Sequence, residues 1–264
     1  MTLPLLIAVA AAYLVASLFY VNLLLSQRTR AEVLARRTLV AGFVLHTAAF
    51  VTIHAGGTRV GTPVQDSVSF MAYAIVALWL IFQHRWRAKV LGAFLSPFAF
   101  LLVFYATLPL KARASPETLR SLWSHLHIFL SVFGFGFLAL AFAAGATYLV
   151  QDRGLKRRGT EAIERVVFRL PSLETLDRVN AFCLLNGFPL LTLGMITGGL
   201  WESSANASWR WKAHITLSIA TWLLYLMIIL TRLVWNQRGR RAALLSVLGF
   251  IVLTSSYVGV RALG

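Results

Sequence analysis

Eight times between residues 3 and 260 the chain runs through a long stretch of apolar side chains almost free of charge, each ending in a short polar or basic break. Crossing a bilayer takes about 17 to 25 apolar helical residues, because every backbone N–H and C=O inside the hydrocarbon must be bonded within the segment. The runs predict spans at 3–25, 38–55, 67–83, 90–110, 122–150, 181–201, 213–234 and 242–260. The expected fold is all-α: one integral-membrane domain over 1–264, a bundle of eight transmembrane helices. No basic segment precedes the first run, so we expect a retained span rather than a cleaved signal peptide.

The polar breaks orient this bundle. Alternate loops, beginning with the first, hold 18 of the 25 Lys and Arg residues, and the other side holds 7. Basic residues accumulate on the cytoplasmic side, so both termini are expected outside. The one long connection, 151–180, places Ile163, Val166, Val167 and Leu170, then Leu173, Leu176 and Val179, at steps of three and four. That spacing predicts amphipathic helices at the interface, parted near Pro171.

Composition agrees, with 58% hydrophobic residues, 13% charged and a mean hydropathy of +0.74. The formal charge of +16 does not indicate a nucleic-acid partner, because the basic residues are scattered between apolar runs and form no soluble basic domain. The single cysteine, Cys183, excludes an intrachain disulfide and reads as a small core residue.

None of the predicted spans contains Asp or Glu, which leaves no carboxylate relay, and phosphate-binding loops and HExxH are absent. The chemistry that remains is imidazole and indole. His84, beside Arg85 and Trp86, reads as an interfacial anchor, and His54 lies near the outer headgroups, where water reaches it. His46, mid-span, has two readings, a metal ligand or an interhelical hydrogen bond. His125 and His127 are about 200° apart around a helix, so one pocket takes only one of them. His127 heads a face with Ser131 and Gly134, and is favoured as the ligand. Gly187, Gly194, Gly198 and Trp201 share another face, as a packing groove, a cofactor slot or both. Trp201, Trp209 and Trp211 crowd one outward loop beside Arg210 and Lys212, and His214 follows, able either to reach the same pocket or to cap the next span. Indoles offer apolar walls with one polar edge, and the cations would neutralise carboxylates. Haem b meets these demands with its flat apolar macrocycle, an iron that takes axial His, and two propionates.

Together, Leu126-His127-Ile128, Leu170-Pro-Ser-Leu-Glu-Thr-Leu-Asp177 and Gly187-Phe-Pro-Leu-Leu-Thr-Leu-Gly194, with Gly198 to Trp201, form an ordered set. Thr221-Trp222-Leu-Leu-Tyr225, Arg238-Gly-Arg-Arg-Ala242, Gly249-Phe250 and Tyr257-Val-Gly259 continue it. In that order and spacing the chain resembles the cytochrome c assembly protein family of CcsA/CcmC type, especially its eight-span HemX/YpjD-like branch. The resemblance implies a tryptophan-rich outer loop, the WWD domain, which binds haem, with flanking histidines as axial ligands. On it, His127 matches a family ligand position, His46 matches a second-span histidine of that branch, and Trp209-x-Trp211 matches the aromatic part of the loop.

The acidic part of the loop differs. Lys212, Ala213, His214 and Ile215 stand where the family has Asp, Pro, Lys and Glu, and Leu230 stands at the seventh-span histidine position. The resemblance therefore implies an assembly factor or haem carrier of the bacterial inner membrane, alongside another cytochrome c assembly subunit, rather than a complete haem lyase. Two other expectations stay open. One is a non-catalytic scaffold or regulator of haem metabolism acting through 151–180, and the other is a b-type electron carrier.

Overall fold

The computed structural model describes residues 2–25, 29–56, 63–86, 89–109, 122–156, 170–204 and 213–263. Every regular element among them is helical. They are α1 (Thr2–Leu25), α2 (Thr29–Gly56), α3 (Pro63–Trp86), a 3₁₀ turn (Lys89–Leu91), α4 (Gly92–Ala106), α5 (Leu122–Lys156), α6 (Leu173–Ser204), α7 (Ala213–Leu233) and α8 (Arg240–Leu263). Seven segments among the described residues are long and apolar enough to cross a membrane, the fourth of them joining the 3₁₀ turn to α4. The eighth expected span corresponds to α8, of 24 residues. Leu18, Val44, Ile81, Leu101 and Ile251 stand exposed, each at least half uncovered, a surface that suits lipid and not water. The chain is an integral membrane protein with multiple spans.

Several helices outrun the apolar runs that announce them. α2 begins at Thr29 and carries Glu32, Arg36 and Arg37 in its opening turns, where Glu32 pairs with Lys89. α6 begins at Leu173, so Leu173, Leu176 and Val179 are its first turns and not a separate interfacial helix. Ile163, Val166 and Val167 lie outside the described residues, and after Pro171 Ser172 caps α6 by accepting a 3.2 Å hydrogen bond from the Thr175 N–H. The longer helices also take in acidic residues that the predicted spans left out, Asp66, Asp152 and Asp177 among them.

The chain forms two compact units, α1–α4 and α5–α8. In the first, α1 packs on α2 and α4, and α3 packs on α4. Tyr13 and Tyr20, two turns apart on α1, fill the spaces that Gly42 of α2 and Gly92 of α4 leave open. In the second, α5 and α6 run antiparallel in close contact, with α8 lying against α5 and α7. α5 is buried over most of its apolar length.

Candidate functional site

Small residues set how near α5 and α6 approach. A Cβ on Gly134 of α5 would sit 2.9 Å from the Leu191 nitrogen of α6, and one on Gly187 would sit 3.0 Å from Leu138 and Phe137. Toward the amino end of α5 the seam opens enough for one side chain, His127. A Cβ on Gly198 would fall 2.7 Å from His127 Nδ1, and one on Gly194 would fall 2.5 Å from Ser131 Oγ. The imidazole occupies space that exists only because α6 has no side chain at 198, and Ser131 uses the space left at 194.

His127 Nδ1 lies 2.7 Å from the Gly194 carbonyl oxygen. A carbonyl only accepts, so Nδ1 carries the proton and donates it, which leaves Nε2 with its lone pair. Ser131 Oγ stands 3.4 Å from the same Nδ1. Among the described residues Nε2 has no hydrogen-bond partner, and the ring is only partly buried. The Trp201 ring lies 6.0 Å from the imidazole, tilted by 32°. An anchored imidazole with a free nitrogen beside an indole suits a flat iron macrocycle, which supplies four ligands of its own. Among the described residues no three His, Cys, Asp or Glu side chains gather around a common point to hold a metal ion by themselves.

The family model described as cytochrome C assembly protein matches residues 62–264. The chain belongs to the cytochrome c assembly protein family. It is similar to the cytochrome c biogenesis protein CcsA of Guillardia theta, 27% identical over 217 residues, covering 75% of this chain and 72% of that protein. The CcsA of Synechococcus elongatus is 29% identical over 243 residues, 75% of each chain. No solved structure matches. The matched segment of this family member runs from α3 to α8 and contains His127, Gly194, Gly198 and Trp201.

His46 lies on α2, before the segment that the family model matches, and in the other unit. It is fully buried, with Nδ1 3.2 Å from the Tyr13 hydroxyl and Nε2 2.9 Å from the Ser69 hydroxyl. Phe50 stacks on the ring at 5.0 Å and Tyr73 meets it edge-on at 5.5 Å. Both nitrogens therefore serve to tie α1, α2 and α3. His125 is exposed on α5. Trp209, Arg210, Trp211 and Lys212 lie outside the described residues, and His214 is the second residue of α7, its side chain not among those described.

The other end of the second unit holds a polar cluster that the sequence pattern did not single out. Arg232 of α7 donates to Asp177 Oδ2 at 2.7 Å, to the Asp177 carbonyl at 2.9 Å and to Asn180 Oδ1 at 3.3 Å. Asp177 Oδ1 accepts the Gly239 N–H at 3.0 Å, and the Asn180 amide donates to the Ala141 carbonyl at 2.7 Å and to Ser246 at 2.8 Å. Gly239 has φ +71°, and a Cβ there would lie 2.9 Å from the Tyr148 hydroxyl. All four helices of this unit meet in that network. In the sequence, Asp177 closes one of the motifs quoted above, Gly239 lies in another, and Arg232 falls near the end of the seventh predicted span, but nothing there pairs them.

Proposed function

We propose that this family member binds haem b as a transient cargo on the outer face of the cytoplasmic membrane, and holds it or hands it on during cytochrome c maturation. One observation carries the reading: His127 is anchored through Nδ1–H, with Nε2 unpartnered among the described residues and Trp201 beside the ring. When bound, haem would supply the iron and a planar apolar face. The chain's own residues would hold it, with His127 offering a nitrogen to the iron and Trp201, Trp209 and Trp211 giving the walls. Arg210 and Lys212 would draw the propionates. His214 opens α7, in the same unit as His127, and is the second ligand we favour. His46, with two hydroxyl partners, is better suited to a structural tie, which also weakens the b-type reading that needs paired histidines. The uneven split of basic loops supports eight spans with both termini outside.

The test is a hemin titration of the detergent-purified protein followed by absorption. We expect a Soret shift that His127→Gly abolishes and that added imidazole restores. A spectrum indifferent to His127→Gly would sink the reading.

A further inference from the structure

Gly194-x-x-x-Gly198 looks like an ordinary helix-packing repeat, but part of what it receives is a side chain. Of the His127 ring, Nδ1, Cε1 and Cγ are the atoms nearest a Cβ built on Gly198, at 2.7, 2.9 and 3.5 Å, so it is the Nδ1 edge, and not Nε2, that lies against Gly198. One turn earlier, the Gly194 carbonyl meets Nδ1 at 2.7 Å. Two acceptors for that proton are within reach, and the distances rank them, with the carbonyl much nearer than Ser131 Oγ at 3.4 Å. The choice has chemical weight. Were the serine hydroxyl instead to donate to a bare Nδ1, the proton would move to Nε2 and the outward nitrogen could not ligate a metal.

We propose that Gly194 and Gly198 are positioning residues for His127: the bare backbone of α6 holds Nδ1–H and presents Nε2 as the ligating nitrogen. The inference rests on the haem reading of this site and says which residues set its ligand. A partner on the far nitrogen of a metal-bound histidine fixes ring orientation and strengthens the ligand, and losing such a partner typically costs about 10–100-fold in affinity. The glycines supply that partner with main chain alone. Any side chain at 198 would occupy the place of the ring edge.

The deciding measurement needs no haem. Protein labelled with ¹⁵N-histidine, in micelles at alkaline pH, shows by its one-bond and two-bond nitrogen–proton couplings which nitrogen of His127 is protonated. His127→Asn assigns the signal. We expect Nδ1–H in the wild type and equally in Ser131→Ala. In folded Gly198→Ala we expect that tautomer to be lost and hemin affinity to fall by about 10–100-fold with a shifted reduction potential. A protonated Nε2 in the wild type overturns the proposal even where Gly198→Ala fails to fold. So does a folded Gly198→Ala that keeps wild-type couplings and affinity. Nδ1–H in a wild type that takes up no hemin fails the haem reading instead, leaving the tautomer assignment in place.

Discussion

His46 shows what a buried imidazole contributes when both of its nitrogens are bonded. Tyr13 and Ser69 lie 33 and 23 positions away in sequence, so no local pattern reveals them, and the sequence alone leaves His46 between ligand and tie. His46→Ala would empty a packed aromatic site and strand two buried hydroxyls, at a cost of about 2–5 kcal/mol. We expect a lower melting temperature in detergent with hemin uptake through His127 intact. If uptake vanishes while the fold survives, His46 is a ligand. His127 is a different case. Its residue type and its stripe with Ser131 and Gly134 are legible, but its meeting with Gly198, 71 positions on in sequence, emerges only when α5 and α6 pack.

Helices were legible where hydrophobicity alone marks them and illegible at their ends. α6 starts eight residues before its apolar run, because Ser172 caps a turn whose polar residues are no obstacle outside the hydrocarbon. Those extra turns bring Asp177 to Arg232. The Arg232 side chain is 8% exposed and that of Asp177 18%, whereas the Arg178–Glu174 pair on the same helix is 77% and 81% exposed. Removing one member of a buried pair leaves an uncompensated charge, so Asp177→Asn should cost about 3–5 kcal/mol, while Glu174→Gln should change stability by under about 1 kcal/mol. Thermal denaturation of the two variants gives the comparison. Equal melting temperatures would show that the Asp177 pair holds nothing together.

His127 and Asp152 lie at opposite ends of α5, about 37 Å apart at 1.5 Å per residue, more than a hydrocarbon core of about 30 Å. A helix that spans the bilayer puts these two ends at opposite membrane faces, and the distribution of Lys and Arg predicts which face each takes. Cys183, the only cysteine, is fully buried, so the native chain gives a silent background for thiol labelling. A membrane-impermeant maleimide added outside intact cells should modify Leu122→Cys and spare Leu155→Cys, both of which are exposed positions. The opposite outcome would place His127 on the cytoplasmic side and remove it from any extracytoplasmic haem transfer.

The Asp177–Arg232 pair also sets a timetable. The ribosome delivers Arg232 55 residues after Asp177, on the order of 3 to 11 seconds at about 5–20 residues per second. For that interval Asp177 lacks the guanidinium that pairs with it in the finished fold, and a lone charge resists entering lipid. The expected consequence is that the start of α6 waits at the water boundary until α7 arrives and the two helices settle together. Nascent chains stalled before Arg232 should be cleared by membrane proteases faster than chains stalled after α8, and equal lifetimes would separate the pair from insertion. An ion pair that reads as a clasp in the finished protein would then, during synthesis, couple the arrival of one helix to the seating of another.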